Sequence, residues 1–196
     1  MSSSYGQVLK DLQTGFEKGE EPVRKFLLEN FGIITENVGK KHPYWDLELV
    51  GVDEEFLNGL KKTVSTEKLE KKFINKFGKT FEVKRDLTSD RTNNFFFEVW
   101  SNINVHNPGC INSSKADVLV IVRKKEFIFI DRGYFLSWII YNLYHDNSMS
   151  KQWKKKTCRR ISNPKMKNSS ISPNVRGILI PIKDIKDEAC IEVFER

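Results

Sequence analysis

The strongest constraint on the fold of this chain is a series of short segments in which apolar and polar residues alternate, as they do in half-buried β-strands. Five such segments lie at residues 44–50, 79–85, 94–100, 117–122 and 126–130. The last two flank the basic turn Arg123-Lys124-Lys125, so we predict that they form a hairpin. Shorter apolar runs at residues 33–34 and 177–182 predict two more strands, and the second of these is the last predicted element.

Helical spacing of apolar residues occurs between these strands. Residues 20–30 have this spacing, with Pro22 in the first helical turn and Gly32 after the last. Residues 133–144 predict an apolar helix, and the charged stretch 52–78 predicts a helical insertion of one or two short helices. This order of elements predicts an α/β fold, with a central mixed β-sheet flanked by helices.

Length and composition favour one globular domain, which we predict to cover residues 1–196. Apolar residues make up 39% of the chain, charged residues 30%, and the net charge is +7, which favours a polyanionic partner. No apolar run reaches the ~20 residues that span a bilayer, and the first residues lack the pattern of a signal peptide. We therefore expect an intracellular protein, cytoplasmic or associated with the nucleoid or a host cell, that is neither secreted nor membrane-bound. Three widely spaced cysteines predict neither a disulfide framework nor a zinc site.

The pattern with the most chemical content is Phe81-Glu82-Val83-Lys84. Residues two apart on a strand project from the same face, so Glu82 and Lys84 lie side by side while Phe81 and Val83 face the core. A carboxylate can bind a hard cation such as Mg²⁺, and a lysine can orient a water or steady the negative charge of a reacting phosphate. For this triplet alone, an exposed ion pair is the alternative explanation.

A second carboxylate is needed to hold Mg²⁺ well, and Asp46 is the best candidate. It lies between Trp45 and Leu47 on its predicted strand, so it points away from the face of these two apolar residues. Asp53 is a weaker rival for the same role. Glu82 follows Asp46 by 36 residues, so their two strands have to pair across a long insertion.

Six short segments form an ordered set over roughly residues 19–130. They are Lys18-Gly19-Glu20-Glu21, Pro43-Tyr44-Trp45-Asp46, Phe81-Glu82-Val83-Lys84-Arg85-Asp86, Asn94-Phe95-Phe96-Phe97-Glu98, Gly109-Cys110-Ile111 and Lys115-Ala116-Asp117. Together they resemble the PD-(D/E)xK nuclease superfamily, which includes restriction endonucleases, Holliday-junction resolvases and phage-type nucleases. The resemblance implies a restriction-endonuclease-like core, hydrolysis that depends on one or two Mg²⁺ or Mn²⁺ ions, and DNA as the commonest substrate. It also implies a catalytic set of Asp46, Glu82, Lys84 and Glu20, with the three acids as metal ligands.

Glu20 is a candidate third carboxylate on the helix. It lies three and seven residues before Val23 and Leu27, so it shares their inward stripe. An acid in a first helical turn is also favoured by the helix dipole, which is the alternative explanation. Glu17 and Glu21 are alternatives for the ligand role.

Three further residues could support the site from outside the metal ligands: Glu98, Lys115 and Asp117. Glu98 follows Phe96 on one face of the aromatic strand and could reach a metal or a water. Lys115 and Asp117 bracket the start of a strand, where an ordinary ion pair would explain them equally well. We expect residues 95–97 to form core packing rather than a surface on which bases stack.

A basic segment without acidic residues covers residues 151–176 and is predicted to be a loop. Five of its residues are candidate nucleic-acid-binding residues: Lys154, Lys155, Lys156, Arg159 and Arg160. Contacts from lysine and arginine to phosphates supply most non-specific affinity for nucleic acid. A solvated loop that only raises solubility is the alternative.

The sequence therefore predicts a divalent-metal-dependent endonuclease that hydrolyses phosphodiester bonds in nucleic acid, DNA rather than RNA. A homodimer would suit symmetric cutting of two strands. Two other functions compete with this prediction. One is a catalytically inactive relative that only binds nucleic acid, alone or within a complex; the intact Asp46, Glu82 and Lys84 speak against it. The other is a regulatory protein that holds an acidic partner, for which charge is the only support.

Overall fold

Two β-sheets and the helices around them make up the described part of the chain. The computed structural model describes residues 16–38, 44–59, 65–86, 89–102, 106–144, 153–159 and 174–196. The strands are β1 (Ile33–Asn37), β2 (Leu47–Val52), β3 (Thr80–Arg85), β4 (Asn94–Asn102), β5 (Asn107–Pro108), β6 (Val118–Val122), β7 (Glu126–Asp131), β8 (Lys154–Arg159), β9 (Asn174–Pro181) and β10 (Cys190–Glu195). The helices are α1 (Glu21–Phe31), α2 (Glu54–Gly59), α3 (Thr66–Phe77), α4 (Ser89–Thr92), α5 (Cys110–Ser113), α6 (Arg132–Tyr144) and α7 (Ile182–Glu188), with a π-helical turn at Phe16–Glu20 before α1.

The larger sheet has six strands in the order β1-β2-β3-β6-β7-β10. β3 and β6 run parallel, and the other neighbours in this sheet are antiparallel. All residues of β6, Val118–Val122, are buried, as expected for an apolar strand covered on both faces. The predicted α/β class and the central mixed sheet flanked by helices are confirmed.

Different helices cover the two faces of this sheet. On one face, Leu27 of α1 and Phe73 of α3 share a core with Phe81 of β3. On the other face, Phe135 of α6 packs in a core with Leu119 of β6. The sheet is therefore held from both sides, and the backbone of its central strands is fixed by packing.

A second sheet of four strands, in the order β5-β4-β9-β8, was not predicted. The strands expected at residues 94–100 and 177–182 pair with each other in this sheet, as β4 and β9. Phe95 and Phe97 are buried with Ile178 in the core under α6, as expected for the aromatic strand. The expectation of a single sheet was wrong because alternation identifies strands but does not say which of them pair.

The helical insertion predicted at residues 52–78 contains α2 and α3, although Val52 itself still belongs to β2. Phe73 of α3 is 5% exposed, so this helix is part of the core rather than an appendage. The insertion does not separate the strands on either side of it. β2 pairs directly with β3, and Leu47 lies opposite Phe81.

The prediction of a basic loop at residues 151–176 is wrong at both ends, because Lys154–Arg159 forms strand β8 and residues 174–176 belong to β9. This strand pairs antiparallel with β9 at the edge of the second sheet. Trp153, just before it, is buried and donates its ring N–H to Asp184 Oδ2 at 3.0 Å, which ties β8 to α7. Arg160 lies outside the described residues.

The C-terminal segment also continues beyond the last predicted strand. Ile182 and Ile185 of α7 are buried, and β10 pairs with β7 at the edge of the larger sheet. The helix of α1 agrees with the prediction, and Gly32 ends it in the left-handed region with φ of 65°. None of the described helices is both long enough and apolar enough to cross a membrane.

Candidate active site

Glu82 and Lys84 lie two residues apart on β3, as their spacing predicted. Their neighbours Phe81 and Val83 are 0% and 7% exposed and pack in the core, so this strand is rigid. Lys84 Nζ lies 2.5 Å from Glu82 Oε1, and the two side chains are 29% and 8% exposed. The triplet is therefore a largely buried ion pair and not the exposed surface pair that its sequence alone would allow.

Asp46 precedes β2 and is bonded to β3 through both its backbone and its side chain. Its N–H donates to Phe81 O at 2.9 Å, and its Oδ2 accepts a hydrogen bond from Val83 N–H at 2.7 Å. Residue 83 lies between Glu82 and Lys84, so this bond holds Asp46 close to both. The long insertion between β2 and β3 does not keep Asp46 away from Glu82.

Glu20 is the residue just before α1, and it is about half-buried. The side-chain amide of Asn37 donates a hydrogen bond to its carboxylate. Burial and the charge of Asp46 raise the pKa of Glu20 to about 7, against the opposing effects of Asn37 and Lys84, and the charge of Glu82 raises it further. Glu20 therefore lies within electrostatic reach of the residues on β2 and β3.

The four groups influence one another's protonation. Burial raises the pKa of Glu82; Lys84 opposes this rise and Asp46 adds to it. For Lys84, burial acts to lower the pKa, but the acidic groups of Cys110, Glu82 and Asp46 outweigh burial and hold the pKa above its usual value. Lys84 is therefore a firmly charged ammonium, and the pKa values of Glu20 and Glu82 beside it are raised.

The group contains three carboxylates and one ammonium, so it is short of positive charge. Carboxylate oxygens are the ligands that Mg²⁺ and Mn²⁺ prefer. Among the described residues, no three acidic, histidine or cysteine side chains are placed to hold a metal ion together as they stand. In the structure Glu82 is paired with Lys84, and Asp46 Oδ2 accepts a hydrogen bond from the Val83 N–H. The donor set fits a hard divalent cation in chemistry and charge, and side-chain rotations are needed to bind one.

Two polar residues that the sequence did not single out hold these carboxylates. Asn37, at the end of β1, donates to Glu20. Ser114 is 2% exposed, and a hydrogen bond from it counters the raised pKa of Glu82. The same hydroxyl donates to Tyr44 O at 2.7 Å and accepts from the Ala116 N–H at 3.1 Å. Neither residue has a signal in the sequence, because each reaches the site only through long-range contacts.

Cys110 and Glu98 line one cavity together with Lys84. Cys110 begins α5, and the sequence indicated only that its thiol is unpaired, as it is in the structure. Burial raises the pKa of this thiol, and the charge of Lys84 opposes the rise. Of the three residues expected to support the site, Glu98 is the one that faces the cavity next to Lys84.

Asp117 and Lys115 contact the start of β3 and the segment before β2, respectively. Asp117 Oδ2 accepts hydrogen bonds from the backbone N–H groups of Lys79 and Thr80, at 2.8 and 3.0 Å, and so fixes the start of β3. The ammonium of Lys115 lies 4.4 Å from the centre of the Tyr44 ring. These contacts position β3 and the segment before β2, which is a more indirect role than the sequence suggested.

The rival acids are used elsewhere. Asp53 accepts a hydrogen bond from the backbone N–H three residues on, which caps α2. Glu21 forms an exposed ion pair within α1, and Glu17 is exposed. Asp46 and Glu20 are therefore the candidates that the fold brings to β3.

The basic residues of the predicted clamp lie at one edge of the second sheet. Lys154, Lys155, Lys156 and Arg159 belong to β8. Lys156 pairs with Gly177 of β9, and Gly177 pairs with Glu98 of β4. The basic strand is thus two strands away from the residue that faces the cavity.

Four residues predicted to act together, Glu20, Asp46, Glu82 and Lys84, meet at one place from three separate parts of the chain. Comparison with known proteins gave no match to this chain among family models, curated proteins or solved structures. A proposal for its function therefore rests on the chemistry of this group and on the sequence resemblance.

Proposed function

We propose that this chain is a divalent-metal-dependent endonuclease of the PD-(D/E)xK type, with a restriction-endonuclease-like core, that hydrolyses phosphodiester bonds in nucleic acid. The observation that supports this most is the meeting of three carboxylates with one lysine on β3 and the elements beside it. Their order along the chain agrees with the resemblance: Glu20 before a helix, Asp46 at one strand, and Glu82 with Lys84 on the strand that pairs with it. The preference for DNA over RNA rests on the resemblance.

A purely structural role does not explain this group. A buried Glu82–Lys84 pair would balance its own charge, and two additional carboxylates beside it oppose folding because each disfavours the ionised form of the others. Ionisable groups whose pKa is shifted by burial and by specific neighbours cluster at functional sites. The excess of negative charge indicates that these residues bind a cation.

In the proposed reaction, Glu20, Asp46 and Glu82 would hold one or two Mg²⁺ or Mn²⁺ ions. A divalent ion, when bound, lowers the pKa of a water ligand and stabilises the charge that develops on phosphorus. Lys84 donates from its ammonium to the attacking water or to a phosphate oxygen. The Val83 N–H, on a buried strand, orients Asp46 beside Glu82 before an ion binds.

The substrate backbone would be held by the basic edge of the second sheet. Phosphate contacts from lysine and arginine give salt-dependent affinity that does not depend on sequence. The strand β8 offers Lys154, Lys155, Lys156 and Arg159 for this role, and the net charge of +7 supports it. A homodimer would place two such sites for cutting both strands of a duplex.

The decisive experiment is cleavage of branched, single-stranded and duplex DNA, and of RNA, with Mg²⁺, Mn²⁺ or EDTA. We expect cleavage only with metal. The rates of Glu82→Gln and Lys84→Met should fall by about 100-fold or more, since removal of one group that stabilises transition-state charge costs ~10²–10³ in rate. The matched controls are Glu48→Gln and Lys79→Gln, which break an exposed 3.5 Å ion pair beside the same two strands and should cleave like the wild type.

Cleavage that survives in both Glu82→Gln and Lys84→Met contradicts the site. Binding of nucleic acid without cleavage of any substrate would favour the inactive binding module instead. For the basic strand, replacing Lys154, Lys155 and Lys156 by glutamine should weaken binding and flatten its salt dependence. Unchanged binding in that triple variant would reject the role of β8.

A further inference from the structure

A cavity of about 480 Å³ opens directly beside Lys84, between β3 and the strands of the second sheet. Its walls include Phe96 and Glu98 of β4 and Asn107 of β5, as well as Cys110 of α5. This volume lies within the ~300–1,000 Å³ of pockets that bind small molecules. The cavity can therefore take one nucleotide-sized group, and it is far too small for a double helix.

The walls of the cavity are tightly packed to one another. A Cβ atom on Gly109 would lie 1.8 Å from Glu98 O, so only glycine fits where this segment passes β4. The Gly109 N–H donates to Val99 O at 3.0 Å. The side-chain amide of Asn107 donates to Ser101 Oγ at 2.8 Å. These contacts join β4 and β5 on one side of the cavity, so its shape is preformed.

Glu98 determines which part of a nucleotide can enter. Its side chain is partly buried and forms no hydrogen bond or ion pair with any side chain that the structure describes. An ionised carboxylate accepts hydrogen bonds and offers no donor, and its charge repels a phosphate. The group that enters this cavity should therefore be uncharged and carry N–H donors, while phosphates stay near Lys84 at the edge.

Phe96 supplies an aromatic surface in the same cavity. Phe95 and Phe97 are buried in the core, whereas Phe96 is only partly buried where it lines the cavity. A Cβ atom on Gly177 would lie 2.5 Å from the Phe96 ring, so the ring rests against the bare backbone of β9 and is fixed there. Aromatic side chains on rigid strands are surfaces on which single bases stack.

We propose that this cavity binds one unpaired nucleobase of the substrate strand, next to the phosphodiester bond cut at Glu82 and Lys84. This inference rests on the proposed nuclease function and names the substrate class: nucleic acid with an unpaired or extruded nucleotide. Guanine should be preferred, because its Watson–Crick edge presents two adjacent N–H donors to the two oxygens of Glu98. Thymine should bind worst, because its single donor lies between two carbonyl oxygens that the carboxylate repels.

The test uses duplexes that carry one bulged nucleotide, G, A, C or T, and a fully paired duplex. Binding is measured by fluorescence anisotropy in EDTA, where no cleavage occurs, and cleavage is measured separately with Mg²⁺. The wild type should bind bulged G about tenfold more tightly than bulged T or the paired duplex, the discrimination expected for one bidentate contact to a base. In Glu98→Gln this ratio should fall below about threefold, since glutamine offers one acceptor and one donor.

The matched control is Glu36→Gln, which removes an exposed glutamate of β1 and should keep the tenfold ratio. A second variant, Phe96→Leu, should weaken binding of every bulged base by about tenfold through lost stacking. Cleavage without a preference for bulged G, or a preference that survives in Glu98→Gln, overturns the inference and leaves the proposed function intact. A preference for bulged G without cleavage of any substrate supports the cavity and overturns the nuclease.

Discussion

Two groups of charged side chains lie on neighbouring parts of the same strand, and they differ in their balance of charge. The first is the candidate site, in which Glu20, Asp46 and Glu82 share Lys84. The second, which we call the ion network, begins at the next residue of β3 and consists of Arg85, Asp90, Arg123, Glu126 and Lys186. In the network two carboxylates face three cations, whereas in the site three carboxylates face one.

The network has the features of a structural clamp. Asp90 lies 2.9 Å from Arg85, and Glu126 lies 2.5 Å from Lys186, so both acids have cationic partners. Arg123 bonds to both acids and also donates to Ser89 O at 2.8 Å. Arg123 therefore links α4 to β7, and the Glu126–Lys186 pair links β7 to α7. The acids of the ion network are fully paired with cations, whereas the acids of the candidate site are not. This difference indicates that the charge imbalance of the site serves a function.

The most direct test of the difference between the site and the ion network is to remove one acid from the site and measure both the cleavage rate and the melting temperature. Glu82→Gln should lower the cleavage rate by about 10²–10³, as expected for loss of a group that stabilises transition-state charge. Its melting temperature should fall less than that of a variant that breaks the ion network, because the charge of Asp46 still stabilises the Lys84 ammonium when Glu82 is replaced. A large drop in melting temperature with unchanged cleavage would show that these residues stabilise the fold and do not act in cleavage.

The converse experiment removes a cation from the network. Arg123→Ala leaves Asp90 and Glu126 partly buried with fewer partners, and should lower the free energy of unfolding by about 3 kcal/mol. For a chain of this size that corresponds to a fall in melting temperature of roughly 6–12 °C. The matched control is Lys25→Ala, which breaks an exposed 3.6 Å pair on α1 and should cost less than about 0.5 kcal/mol. Cleavage per folded molecule should not change in either variant.

Metal binding should stabilise the chain through the candidate site and not through the ion network. A divalent ion that binds only the folded chain adds about 2.7 kcal/mol of stability at 100 times its dissociation constant. Titration with Mn²⁺ should therefore raise the melting temperature of the wild type and of Arg123→Ala by the same amount. Glu82→Gln should show little or no rise, and an equal rise in that variant would place the ion elsewhere.

The smallest expected effect concerns Glu20 and its pH dependence. Its pKa is raised from 4.5 to about 7 in the folded chain, so the folded state binds more protons than the unfolded state between these values. Stability should therefore fall as pH rises from about 4.5 to 7. In EDTA, Glu20→Gln should be more stable than the wild type by about 1 kcal/mol at pH 8, a value discounted because Glu20 is half exposed. At pH 4.5 the two should melt alike, and a gain that does not depend on pH would contradict the raised pKa.

The placement of the site could be predicted where the reasoning was local. Glu82 and Lys84 share a face because alternation on a strand needs no information beyond the strand itself. Glu20 was found from helical spacing relative to Val23 and Leu27 in the same way. The flanking apolar residues identified Asp46, but its hydrogen bond to β3 depends on strand pairing across two helices, which no local pattern contains.

The rest could not be predicted because it depends on pairing. The second sheet requires β4 to pair with β9, about eighty residues later, and each of these strands has a pattern that would fit either sheet. Lys154–Arg159 has the polarity of a loop, and its place on β8 comes from hydrogen bonds to β9. Asn37 and Cys110 approach the carboxylates and Lys84 only after the sheets have formed.

The parallel pairing of β3 with β6 also sets when the candidate site can form during synthesis. Glu82 lies opposite Leu119 in this pair, so β3 has only one neighbouring strand until β6 has left the ribosome. Parallel strands need a long connection between them and cannot form as a hairpin. Since the chain emerges from its N terminus, Glu20, Asp46 and Glu82 are all synthesised before β6, the second neighbour of β3. A nascent chain therefore carries the three carboxylates without the rigid sheet that aligns them, and the cleavage that we propose requires the chain up to Val122.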